Sequence, residues 1–274
     1  MTSSSALPGG PATPPMTKSE IFRHLHHRDQ PLVLPNAWDF ASAALLATEG
    51  FPAIGTTSLG VAAAAGLADG AGVTKAETLA SAQRLSRLPV PVTVDIEGGF
   101  DERPSAVADF AEQLAACGIA GVNLEDGRAE SALAAPGRQA ELIAAIKGRT
   151  PELFVNARID TYWLGLEHGS THDRVRRYAA AGADGVFVPG VSDPARIERI
   201  VAATDLPVNV LYSATGPALA TLAELGVRRV STGSLLYRAA LSAAVDTARA
   251  VLHDAPVPSD TLTYNDVQHL LPAY

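Results

Sequence analysis

A (β/α)8 barrel, eight parallel strands each followed by a helix, is the fold class that this sequence predicts. Three observations carry the prediction. Short β-branched runs recur eight times, each separated from the next by an Ala-rich stretch of helical length. That alternation is the pattern of parallel strands joined by helical crossovers. Four of the helical stretches run into glycine, at Glu49-Gly50, Cys117-Gly118, Ala181-Gly182 and Leu225-Gly226, where the residue after a helix must turn left-handed. The length of 274 residues suits the roughly 250 that one such barrel occupies. An open doubly wound sheet alternates in the same way, and the count of eight units favours the closed barrel.

The elements follow in order. Residues 1–16 (MTSSSALPGGPATPPM) carry no charged side chain and no long apolar run. They read as a disordered Ser/Pro/Gly tail and not as a secretory leader, which needs a basic start and an apolar core. A helix near 17–28 precedes the first strand and is expected to close the barrel bottom. Strands are predicted at 32–35, 53–57, 90–96, 121–125, 153–159, 185–189, 207–211 and 229–232. Helices are predicted near 39–49, 74–87, 104–117, 138–148, 172–181, 193–203 and 216–225, with a longer one over 234–252. The barrel domain thus spans 17–252. Residues 253–274 mix proline with Val267, Leu270 and Leu271, an extension expected to pack on the barrel or on a neighbouring subunit.

Composition bounds the function. Hydrophobic residues make up 47% of the chain and charged residues 18%, enough apolar side chain for a sizeable core. The net charge of −8 repels phosphate backbones and anionic lipid, which argues against nucleic acid and membrane as partners. No apolar run reaches the roughly 18 residues of a membrane helix. The single cysteine, Cys117, can form neither an internal disulfide nor a multi-cysteine zinc site, as expected of a cytoplasmic protein.

In such a barrel the loops after the strands build the active site. Asn36, Trp38 and Asp39 follow the first strand, and Thr56-Thr57-Ser58 the second, with Asp69 in the loop beyond. The third strand ends in Asp95-Ile96-Glu97, and the fourth holds Asn123 and ends in Glu125-Asp126. The fifth carries Asn156, Arg158 and Asp160, the seventh Asn209. Asp95 and Glu97, two apart, are expected on one side of their strand. Carboxylates crowded into one cavity are costly unless compensated. Asp95, Glu97 and Glu125 therefore form the candidate metal set, and an oxygen-only donor set selects a hard ion, Mg²⁺ or Mn²⁺. Asp39 and Asp193 read instead as helix caps. Arg158, in an otherwise apolar strand, suits a metal-bound anion or a salt bridge to the same acids. Lysine occurs only at Lys18, Lys75 and Lys147, none at a strand end, which excludes a Schiff-base aldolase. No histidine ends a strand, which argues against a His-ligated zinc or nickel hydrolase.

The motifs Asn36-Ala37-Trp38-Asp39, Gly55-Thr56-Thr57-Ser58-Leu59-Gly60, Asp95-Ile96-Glu97-Gly98-Gly99, Gly121-Val122-Asn123-Leu124-Glu125-Asp126 and Asn156-Ala157-Arg158 resemble those of the isocitrate lyase/phosphoenolpyruvate mutase superfamily. The likeness runs in order over about residues 20–250. It implies that Asp95 binds Mg²⁺ directly, while Glu97, Glu125 and Asp69 hold its waters or line the site. It implies that Thr57, with the backbone N–H groups of Ser58 and Leu59, receives the substrate carboxylate, and that Arg158 grips the departing or migrating group. Trp38, Asn123 and Asn209 complete the candidate substrate contacts. Asp69, Arg158 and Glu125 are the candidate catalytic residues, with Asp69 the first choice of base. The resemblance further implies a last helix exchanged between subunits, giving a dimer or tetramer. Two departures narrow the chemistry. The loop 127–137 (GRAESALAAPG) lacks the Lys-Lys-Cys-Gly-His of isocitrate and methylisocitrate lyases. Gly127, Gly55 and Pro189 replace mutase features. The expected function is Mg²⁺-dependent lyase, hydrolase or mutase chemistry at the C2–C3 or P–C bond of a small 2-oxo or 2-hydroxy acid. A non-catalytic sensor of oxalate- or pyruvate-like acids is the alternative from another class.

Overall fold

The computed structural model describes residues 15–128 and 131–271; the expected tail at 1–16 lies almost wholly outside them. Its strands are β1 (Leu32–Leu34), β2 (Asn36–Ala37), β3 (Ile54–Thr56), β4 (Val92–Asp95), β5 (Gly121–Glu125), β6 (Gly127–Arg128), β7 (Ala132–Leu133), β8 (Phe154–Arg158), β9 (Gly185–Val188), β10 (Val208–Leu211) and β11 (Arg229–Ser231). Its helices are α1 (Lys18–Leu25), α2 (Phe40–Thr48), α3 (Ser58–Ala64), α4 (Lys75–Leu85), α5 (Pro104–Ala116), α6 (Pro136–Arg149), α7 (Thr171–Ala180), α8 (Pro194–Val201), α9 (Leu219–Glu224), α10 (Leu235–Leu252) and α11 (Tyr264–Leu270).

Nine strands form one parallel sheet in the order β1-β11-β10-β9-β8-β5-β4-β3-β2. The two ends of that order, β1 and β2, are halves of a single stave broken at Pro35, which has no N–H to donate. The Leu34 carbonyl accepts from Thr232 N–H at 3.2 Å, and the Pro35 carbonyl accepts from Gly55 N–H at 2.9 Å. One half pairs with β11, the other with β3, and eight staves close the barrel that the sequence predicts. The glycines expected to end helices take positive φ: 89° at Gly50, 91° at Gly118, 96° at Gly182 and 85° at Gly226.

The main apolar core lies between the staves and the helices, with Val92, Val122, Val155 and Val186 packed against Leu85, Phe110, Leu142 and Val175. A second cluster, Phe22, Leu32, Leu34 and Phe154, seals the lower end of the barrel with α1. Above it the lumen is polar. Arg229, fully buried, donates from Nε to Ser231 Oγ at 2.9 Å and reaches across to Asn123 Oδ1 at 3.2 Å. Asn156 donates to the same Asn123 oxygen at 2.9 Å.

Three elements were not expected. A short helix, α3, follows the second stave. The loop after β5 folds into an antiparallel β6–β7 hairpin, whose residues 129–130 lie outside the described segments. The C-terminal stretch forms α11, which contacts α2. In the other direction α9 begins only at Leu219, because Gly216 and Pro217 keep the preceding residues out of the helix. No helix among the described residues is long and apolar enough to cross a membrane.

Candidate active site

The upper ends of the strands surround a cavity of about 360 Å³. One wall comes from the turn after β3. Thr57 donates its N–H to the Ala37 carbonyl at 3.0 Å and caps α3 through its hydroxyl. Ser58 and Leu59 then occupy the first helical turn, where backbone N–H groups have no partner within the helix. All three residues line the cavity.

The floor is an ion-pair cluster. Glu125 ends β5 and stands in register with Arg158 at the end of β8. Arg158 Nη1 lies 2.9 Å from Glu125 and 3.8 Å from Asp95, and its Nε lies 2.7 Å from Asp160. Three acids thus share one guanidinium, and Asp69 faces the same space. Burial pushes the carboxyls of Asp95 and Glu125 well above the usual range, and Arg158 only partly offsets it; neighbouring carboxylates add to the rise. Burial also works against the charge on Arg158, but Glu125, Asp160 and Asp95 outweigh it and hold its pKa above the ordinary value.

Asp69, Asp95, Glu125, Arg158, Thr57, Ser58, Leu59 and Asn123 all line the cavity; Glu97, Trp38 and Asn209 do not. Glu97 departs from the expected alternation for a backbone reason. β4 stops at Asp95, and Glu97 takes a left-handed φ of 48°, which breaks the period-two alternation. Its carboxylate accepts instead from the Thr74 hydroxyl at 2.5 Å and Gly72 N–H at 3.0 Å. Among the described residues, no group of three or more Asp, Glu, His or Cys side chains is assembled for a metal. The Asp95/Glu97/Glu125 set is therefore not gathered as a unit. Asp95 and Glu125 remain, two buried acids with more negative charge than Arg158 neutralises. That excess, on oxygen donors alone, fits a hard dication. Trp38 lies on an outer groove and packs edge-on against Tyr237 at 5.3 Å. Asn209 is buried against Ser231 at 3.1 Å.

Several lining residues were not singled out from the sequence: Arg128 on the hairpin, and Trp163, Phe187 and Leu211 on an apolar wall. Arg128 had one available signal, its place three residues past the acid that ends the fourth strand. The apolar wall had none, since its members are brought together only by barrel closure.

Asp126, fully buried, serves the rim from behind. Its carboxylate accepts from Tyr178 Oη at 2.7 Å, Arg174 Nη1 at 2.9 Å and Asp160 N–H at 2.9 Å. Arg174 also donates to the Ala134 carbonyl at 2.9 Å, Glu167 at 2.9 Å and Ser170 at 3.1 Å. One buried arginine thus fastens both the hairpin and the 160–170 segment that carries Trp163.

Comparison with known proteins agrees with this architecture. The family model for phosphoenolpyruvate phosphomutase matches residues 22–252. An uncharacterized protein of Mycobacterium tuberculosis is 47% identical over 92% of this chain and 96% of its own length. An oxaloacetate decarboxylase of Pseudomonas savastanoi pv. phaseolicola is 30% identical over 83% of this chain and 82% of its own. The crystal structure of phosphoenolpyruvate phosphomutase from Streptomyces platensis subsp. rosaceus superposes with a TM-score of 0.84 at 25% identity, covering 93% of this chain and 95% of that one. With the barrel, the acidic strand ends and these matches in agreement, the chain belongs to the isocitrate lyase/phosphoenolpyruvate mutase superfamily.

Proposed function

We propose that the protein is a divalent-metal-dependent enzyme that cleaves the C2–C3 bond of a small 2-hydroxy carboxylic acid, or of a 2-oxo acid once water has added to its C2 carbonyl; the C2 hydroxyl loses its proton and becomes a carbonyl as the C3 fragment leaves as its enolate. The observation that carries this reading is the floor cluster, in which Arg158 is held by Glu125, Asp95 and Asp160 in the cavity that the Thr57–Leu59 turn also lines. Asp95 and Glu125 are the residues that would hold Mg²⁺ or Mn²⁺. The ion, when bound, supplies Lewis-acid stabilisation of negative charge at the C2 oxygen. The free N–H groups of Ser58 and Leu59 receive the substrate carboxylate and orient it. Arg158 keeps the floor acids in place and presents positive charge to the breaking bond. Asp69, which lines the cavity, is the carboxylate assigned to exchange a proton with the substrate or the departing fragment. The names of the oxaloacetate decarboxylase relatives support carbon–carbon over phosphorus–carbon chemistry.

The proposal extends to assembly. α10 is buried only at Tyr237 and exposes Leu241, Val245, Val251 and Leu252, a face suited to exchange with a second copy.

Asp95→Ala is expected to abolish both Mg²⁺-dependent ligand binding and turnover in a screen of 2-oxo and 2-hydroxy diacids. Undiminished turnover in that variant would refute the assignment. A saturable ligand without product in the wild type would favour an acid sensor on the same barrel.

A further inference from the structure

The hairpin carries a guanidinium that this chemistry leaves unused. Arg128 lines the cavity, yet among the described residues it is bonded only to neutral groups. Its Nη1 donates to the carbonyls of Glu125 at 2.9 Å and Gly127 at 2.7 Å, and its Nη2 donates to Gln139 Oε1 at 3.0 Å. Among the described residues no carboxylate stands within ion-pair distance of it. Arg158 is the opposite case, its charge divided among three acids. A guanidinium held by neutral acceptors keeps its charge for a ligand, and with both Nη1 hydrogens and one of Nη2 engaged, the Nε–H and the second Nη2–H form the edge left to meet a carboxylate.

The placement is built. Gln139 is fully buried, and its amide donates to the Glu125 carbonyl at 3.0 Å and the Leu124 carbonyl at 3.4 Å, which turns its Oε1 toward Arg128. Gly98 leaves the room: a Cβ there would stand 2.8 Å from Arg128 Nη1.

We propose that Arg128 binds the second anionic group of the substrate, so that the ligand is a dianionic 2-oxo or 2-hydroxy acid with a distal carboxylate. The inference rests on the proposed function and sharpens its substrate class. The Thr57–Leu59 turn takes one carboxylate, and Arg128 takes the one at the other end. The grip on the distal group, which the family resemblance gives to Arg158, thereby passes to the hairpin.

Titration calorimetry in Mg²⁺ with two probes tests this. Oxalate occupies only the chelating end. 3,3-Difluorooxaloacetate adds the distal carboxylate and has no C3 proton to lose. Arg128→Met is expected to bind oxalate as the wild type does and difluorooxaloacetate about tenfold to a hundredfold more weakly, the loss of a charge-assisted hydrogen-bonded pair. Arg128→Lys, which keeps the charge without the fork, is expected to recover part of the loss. If Arg128→Met weakens both probes equally, or neither, the role of Arg128 is overturned while the lyase reading stands. If the wild type binds neither probe in Mg²⁺, both are overturned.

Discussion

Gly127 stands where any side chain would collide with the Asp160 carboxylate. Asp160 holds Arg158 Nε at 2.7 Å, so a methyl group at residue 127 acts on the floor cluster through one intermediary. Gly127→Ala is expected to lower kcat by about a hundredfold, the usual consequence of a small misplacement of reacting groups, while the far-UV circular dichroism and Tm stay close to wild type. At this scale the sequence was partly legible. Asp95, Glu125 and Arg158 were visible because they end strands in an apolar context. The surroundings of Glu97 were not legible, because period-two reasoning assumes that the strand continues, and only the backbone reveals the left-handed residue that ends the alternation. Arg128 escaped notice because an arginine on a loop is ordinarily solvated, and nothing local shows that Gln139 waits to receive it.

α1 is an element whose stability is tied to pH. His26, at its C-terminus, is 2% exposed and stacks on Phe154 at 4.3 Å. Burial lowers its pKa to about 3, assisted by Arg229, although the hydrogen bond from its ring to the Phe22 carbonyl works the other way. Between that value and the ordinary 6.5, the unfolded chain binds a proton that the folded chain refuses. Stability is therefore full above pH 6.5 and falls as the pH drops, by up to about 1.4 kcal/mol per pH unit from this group. Urea midpoints at pH 7 and pH 5 should differ more for the wild type than for His26→Phe; equal differences would remove His26 from the account. The elements themselves were largely readable, since β-branched runs and helix-ending glycines are local signals. α3 and the hairpin were not. Both are short, and tertiary contacts hold them: the capping Thr57 is anchored to Ala37, and the hairpin through Ala134 to Arg174.

At the scale of the whole molecule, α10 is the helix that does not settle on its own barrel. Its exposed Leu241, Val245 and Leu252 share one face at helical spacing, an apolar row of the kind that marks an interaction surface. Light scattering on the purified protein is expected to report a dimer or tetramer, and Leu241→Glu combined with Val245→Glu to shift the mass toward one chain. A wild type that runs as a monomer at micromolar concentration would contradict the proposed exchange. Ring closure was legible from the count of eight units, whereas the Pro35 break, which lets one stave serve two neighbours, needs coordinates to be seen. Arg174 has a consequence for anyone who would re-engineer specificity. Because it moors two separate rims to Asp126, those rims are not interchangeable parts: a hairpin transplanted from another superfamily member would arrive unmoored unless residues 160–178 came with it.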